Sequence, residues 1–183
     1  RQLLVRGPIA IGRSPKTSEE YKLVWTPEGS PLILYGYEVR DLLQERLGEK
    51  YMVSIAMRYQ SPSIASAMEK FRTAGLRKWI VIPLFPQQAS ATVGSVLEKV
   101  MDEIKKDRTF PEIRMINQFY DRPDFIDAWR EVGRKYDFDQ YDKVMFSYHG
   151  LPQRQLFKAD RNHYCRADIS CCQEMGTCNA YCY

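Results

Sequence analysis

Alternation is the feature that most constrains this chain. Between Leu32 and Tyr148, segments with helical apolar spacing take turns with short β-branched and aromatic runs. Segment 32–48 carries Leu34, Val39, Leu42, Leu43 and Leu47 close to one helical face, and Gly48 sits where a C-terminal glycine belongs. Segment 51–57 reads as a strand. Segment 62–75 reads as a helix with Ser61 as N-cap, Pro62 at the first position and Gly75 past the end. A buried strand follows at 78–84, then a helix at 92–106 and a strand at 113–119. The helix predicted over 123–136 would turn Phe125, Ile126, Trp129 and Val132 to a core, and 143–148 reads as a last strand. This order predicts βαβ units: an α/β protein whose parallel sheet is flanked by helices on both faces.

Composition narrows the class. The 183 residues are 44% hydrophobic and 27% charged, as in an ordinary globular protein. With 27 Lys and Arg against 23 Asp and Glu, the net charge of +4 gives no argument for nucleic acid. No apolar run reaches the roughly 18–20 residues of a membrane span. The chain starts at Arg1 without an initiator Met or a signal-peptide pattern, and it reads as an internal fragment.

All five cysteines, Cys165, Cys171, Cys172, Cys178 and Cys182, fall in the last nineteen positions. A secreted disulfide protein would spread its bridges through the fold. A tight cluster reads instead as a metal site. Paired C-x2-C knuckles typical of zinc are absent, whereas an iron–sulfur cluster tolerates irregular spacing. Iron–sulfur, zinc and free or bridged thiols all remain open on spacing alone. His163, beside the first of these cysteines, reads as exposed.

In open α/β sheets ligands bind beyond the carboxyl ends of the strands. That rule selects three places. His149 follows the last predicted strand and precedes Gly150-Leu151-Pro152; its imidazole suits proton transfer near neutral pH. A His hydrogen-bonded in a turn is the competing reading. Arg58-Tyr59 offers a planar guanidinium fork and an aromatic hydroxyl, or else a solvated loop pair. The stretch from Pro83 to Thr92 could admit a flat ligand or an anion, or be a structural turn capped by Ser90 or Thr92. Tyr120 follows the strand at 113–119 and could face the same cleft; core packing is the default for a Tyr.

These residues also spell a resemblance. Phe146-Ser147-Tyr148-His149-Gly150-Leu151-Pro152 resembles the ferrochelatase signature. Tyr21 to Trp25 followed by Gly29-Ser30-Pro31-Leu32, then Met57-Arg58-Tyr59, Pro83-Leu84-Phe85-Pro86-Gln87 with Thr92, and Phe119-Tyr120-Asp121 resemble further family blocks in the same order. The resemblance implies insertion of ferrous iron into a porphyrin, protoporphyrin IX or coproporphyrin, in haem synthesis. It implies two Rossmann-like lobes, with 1–110 forming most of the first and 111–183 beginning the second. His149 would be the catalytic residue, touching the iron substrate or taking porphyrin protons, and Arg58, Tyr59, Ser30 and Tyr120 would bind porphyrin. Gln88-Ala89 departs from the family, where Tyr-Ser often follows Pro-Gln. The family's early Asn-Leu-Gly-Thr-Pro run and the acidic partner of its His are missing, so the chain alone is expected to be inactive. Some bacterial members hold a [2Fe–2S] cluster on an internal Cys-rich insertion, and all five cysteines are candidate ligands on that likeness. The resemblance further implies a cytoplasmic enzyme with room for peripheral contact at the inner membrane, a porphyrin partner and no nucleic acid. A non-enzymatic iron–sulfur or zinc module, or a cobalt chelatase for another tetrapyrrole, are the rival classes.

Overall fold

In a computed structural model of the chain, the described residues are 10–173. They form two compact units that divide between Ala67 and Met68. The expected lobe boundary at 110/111 falls between the segments 78–81 and 112–115, which pair with each other.

The first unit holds α1 (Ala10–Lys22) and α2 (Pro31–Leu47). A tight turn joins them, closed by reciprocal backbone hydrogen bonds of 3.0 Å between Thr26 and Gly29. Gly29 has φ 128°, which an L side chain would resist. Helix α2 ends as the sequence predicts: Gly48, at φ 65°, donates its N–H to the Gln44 carbonyl at 3.0 Å. The strand expected at 51–57 is not formed. Its one ladder contact is an isolated parallel bridge between Met57 and Ser63. The Gln44 side chain takes over part of what a neighbouring strand would satisfy. Its amide nitrogen donates to the Gly48 and Tyr51 carbonyls at 3.0 and 2.8 Å, and its oxygen accepts the Val53 N–H at 2.8 Å. The segment is held against α2 at Gly36, where an added Cβ would come within 2.3 Å of the Ile55 side chain.

Helix α3 (Ile64–Thr73) starts two residues later than predicted. Ser63, not Ser61, caps it: the Ser63 hydroxyl accepts the Ser66 N–H at 3.1 Å. Gly75, at φ 67°, ends it as expected.

The second unit is built on β1 (Lys78–Val81) and β2 (Glu112–Met115), a parallel pair in which Trp79 lies opposite Ile113. Both are shorter than the predicted strands at 78–84 and 113–119. Pro83, which has no N–H to give, and Pro86 cut the first short. The crossover between them carries a π-helical turn, Ser90–Gly94, and then α4 (Ser95–Ile104). The core gathers along it: Val93 is fully buried, and Trp79, Ala89, Val100 and Ile104 are nearly so. Helices with one parallel ladder make the protein α/β, as the alternation predicts.

Two expectations fail here. The segment 143–148 forms no ladder, and Val144, Met145, Phe146 and Tyr148 are all exposed. A strand exists only with a partner, and no described segment pairs with it. Helix α5 (Pro123–Gly133) forms, but Ile126, Trp129 and Val132 face solvent rather than a core. Its aromatics pack on one another, Phe125 meeting both Phe119 and Trp129 edge to face at 5.2 and 6.4 Å.

One buried carboxylate ties the crossover together. Glu103 is 5% exposed and takes Lys106 at 2.7 Å and Lys99 at 2.5 Å. Arg72, on α3, reaches the Glu103 carbonyl at 3.3 Å and the Asp107 carboxylate at 3.0 Å. The hydrogen bonds from Lys106 and Lys99 lower the Glu103 carboxyl from 4.5 to about 2 against the opposing cost of burial. A lowered acid stabilises the fold above its unfolded pKa and loses that contribution as pH falls through its folded value. Glu103→Gln should therefore cost about 1–2 kcal/mol at pH 7. The gap to wild type should close between pH 4.5 and about 2, as urea melts across that range would show.

Candidate active site and thiol cluster

The carboxyl ends of β1 and β2 open onto a cavity of about 840 Å³. Its wall includes Ile82 beyond β1, Gln88 on the crossover, and Asn117, Phe119 and Arg122 beyond β2. This is where a parallel α/β sheet places a ligand. A hydrogen bond from the Phe119 N–H to the Pro86 carbonyl, at 2.9 Å, fastens the Pro-rich bend to the segment after β2. At the rim, Arg122 grips Asp124 through two contacts of 3.0 Å. That grip holds the Asp124 carboxyl below its ordinary range. The Pro83 to Thr92 stretch thus lines the cavity through Gln88. Its helix start is a structural turn: the Thr92 hydroxyl donates to the Ala89 carbonyl at 3.3 Å, and no side chain caps α4.

The predicted residues are distributed over both units. Ser30, in the first, precedes α2 in extended backbone at φ −68°, ψ 121°, with its hydroxyl making no capping bond. Arg58 and Tyr59 follow the Met57 bridge rather than a strand. They do come together, the guanidinium carbon standing 4.6 Å from the Tyr59 ring centre. Tyr59 is 80% exposed and its ring faces solvent, while Arg58 is half-buried. In the second unit, Tyr120 is half-buried in the turn between Phe119 and Arg122, beside the cavity wall. His149 is exposed, on irregular chain rather than at the end of a ladder strand.

The cysteines within the described residues do converge. The Cys172 and Cys165 side chains stand near enough to the buried Cys171 thiol to help lower its pKa. That thiol also accepts the Arg166 N–H at 3.5 Å and donates to the Asp168 carbonyl at 3.2 Å. The Arg166 amide lowers the Cys171 thiol below its ordinary pKa, against burial. Soft sulfur donors gathered around one buried thiol fit an iron–sulfur cluster or zinc in their chemistry. Among the described residues no three His, Cys, Asp or Glu side chains form a metal-holding group. Cys178 and Cys182 lie outside the described residues. His163 is exposed, as expected, with φ 53°.

Sequence reading missed Gln44, Arg114, Arg122 and Asp160. Polar side chains that serve the backbone or line a cavity leave no periodic signal. For Asp160 a cue existed: an Asp following a short helical run and heading a polar turn.

An α/β fold with a strand-end cavity and a His-Gly-Leu-Pro segment defines an α/β protein with room for a small ligand. The family is settled by comparison. The ferrochelatase family profile matches residues 1–177. A ferrochelatase of Alcanivorax borkumensis is 41% identical over 158 residues, 83% of this chain and 46% of that protein. Those of Opitutus terrae and Coxiella burnetii are each 35% identical over the whole chain, covering 53% and 51% of their own lengths. The chain belongs to the ferrochelatase family, and it spans about half the length of the curated relatives it matches. Among the described residues no helix is long and apolar enough to cross a membrane.

Thiol exposure sets an order of reactivity. With limiting iodoacetamide and no metal, Cys172, exposed, should be alkylated first of the three described cysteines and Cys171, buried, last. Peptide mass spectrometry reads the order directly, and early labelling of Cys171 would contradict the arrangement.

Proposed function

We propose that the full-length protein inserts ferrous iron, as substrate, into protoporphyrin IX or coproporphyrin as a step of haem synthesis. The observation that carries this reading is the family match over residues 1–177, which includes the His149 signature. The strand-end cavity supports it.

Insertion requires the loss of two pyrrole N–H protons and of the metal's water. Both are easier when the ring is held out of plane, which is binding energy used for distortion. His149 is exposed and so within reach of a substrate. A neutral imidazole nitrogen that takes a pyrrole proton cannot ligate iron at the same time, and we assign His149 chiefly to the proton. Arg58, backed by the Tyr59 ring, presents a fork suited to a propionate carboxylate. Ser30 and Tyr120 complete the proposed porphyrin contacts. We further propose that Cys165, Cys171 and Cys172, with Cys178 or Cys182, hold a [2Fe–2S] cluster. Such a cluster supplies one-electron redox chemistry and a covalent tie for the loop. The reading places the enzyme in the cytoplasm, with peripheral membrane contact and no nucleic-acid partner.

His149→Ala should lower kcat by at least about 100-fold with little change in porphyrin affinity. Arg58→Ala should raise KM several-fold and leave kcat near wild type. Anaerobic steady-state assays with ferrous iron measure both, and normal turnover by His149→Ala would overturn the assignment. Running the same assay with cobalt in competition separates an iron enzyme from a cobalt chelatase.

A further inference from the structure

We propose that Asp160 positions the cysteine ligands, its carboxylate fixing the backbone from which Cys165 and Cys171 present their sulfur. The inference rests on the reading of these cysteines as ligands of a soft metal, and it adds a residue which that reading does not contain.

Helix α6 (Gln153–Ala159) ends at Asp160, which is 6% exposed. A carboxylate that sheltered needs donors on both oxygens. One oxygen accepts the Asn162 N–H at 3.1 Å and the other accepts the Cys165 N–H at 2.5 Å. The Tyr164 amide also helps hold the carboxyl below its ordinary range. The loop is therefore wound around one anion, with the reversals at His163 and Ala167, at φ 53° and 54°, on either side of Cys165. The next amide in line, that of Arg166, donates to the Cys171 sulfur. A continuous path runs from the Asp160 carboxylate through the Cys165–Arg166 backbone to the buried Cys171 thiol. Amides already arranged around one carboxylate are not free to reorganise when a metal arrives, which is how residues behind the ligands tune a site. An Asn at 160 would keep the size but turn an NH2 group toward amide donors, breaking at least one of these bonds.

The test uses the full-length protein, wild type, Asp160→Asn and Cys171→Ser. Iron, acid-labile sulfide and zinc per chain are measured after anaerobic purification. Initial rates of iodoacetamide labelling at Cys165, Cys171 and Cys172 are measured at one fixed pH on metal-free protein. Asp160→Asn should keep a wild-type circular dichroism spectrum and retain metal about 10-fold less tightly or worse. Its Cys165 and Cys171 labelling rates should rise toward that of Cys172. A role confined to ending the helix would lower Tm and leave the labelling ratios unchanged. Wild-type metal content together with wild-type ratios in Asp160→Asn overturns the inference. If Cys171→Ser loses metal while Asp160→Asn keeps it, the ligand reading stands and the role of Asp160 falls. If Cys171→Ser also keeps its metal, the ligand reading falls, and the labelling ratios still decide whether Asp160 orders the loop. Should Asp160→Asn fold poorly, Asp160→Glu, with the charge kept but displaced by one methylene, must show the same change in ratios.

Discussion

The parallel register of β1 on β2 is the constraint on which the second unit depends. Two parallel strands cannot be joined by a hairpin, so the chain must leave Val81, cross over and return before Glu112. That obligation creates the crossover helix, buries Val93, Val100 and Ile104, and brings both carboxyl ends to the same side. The cavity beyond those ends follows from the topology. Gln88, from the crossover, and Phe119, from beyond β2, line it because the bend at Pro86 is bonded to Phe119. The buried Glu103, held by two lysines, fastens the far end of the same helix.

The parts of this arrangement that were legible in the sequence are the ones with local causes. Helices α2, α4 and α5 are readable because apolar spacing acts within one segment, helped in α2 by the terminal Gly48. Strands are less legible, since a strand is a relation between two segments. Residues 51–57 and 143–148 carry strand-like side chains, yet the first is tied by Gln44 and the second has no partner among the described residues. The α5 stripe of Ile126, Trp129 and Val132 shows the same limit: an amphipathic pattern states that a face is apolar and not what covers it.

Site chemistry divides in a similar way. The His149 segment and the cysteine run announce themselves by residue type, and the comparisons bear out the family that they suggested. Geometry added what residue type could not. Arg58 lies over the Tyr59 ring, and the buried Cys171 thiol has Cys165 and Cys172 for neighbours. Behind them stands a carboxylate whose partners are backbone amides, a role that leaves no periodic trace.

The most direct measurement is anaerobic addition of ferrous iron to the full-length protein with a free-base porphyrin, followed by fluorescence and absorption. The account predicts loss of porphyrin fluorescence at a rate proportional to enzyme, with a metalloporphyrin spectrum growing in step. Unchanged free-base fluorescence, with bound porphyrin and intact protein, would contradict it.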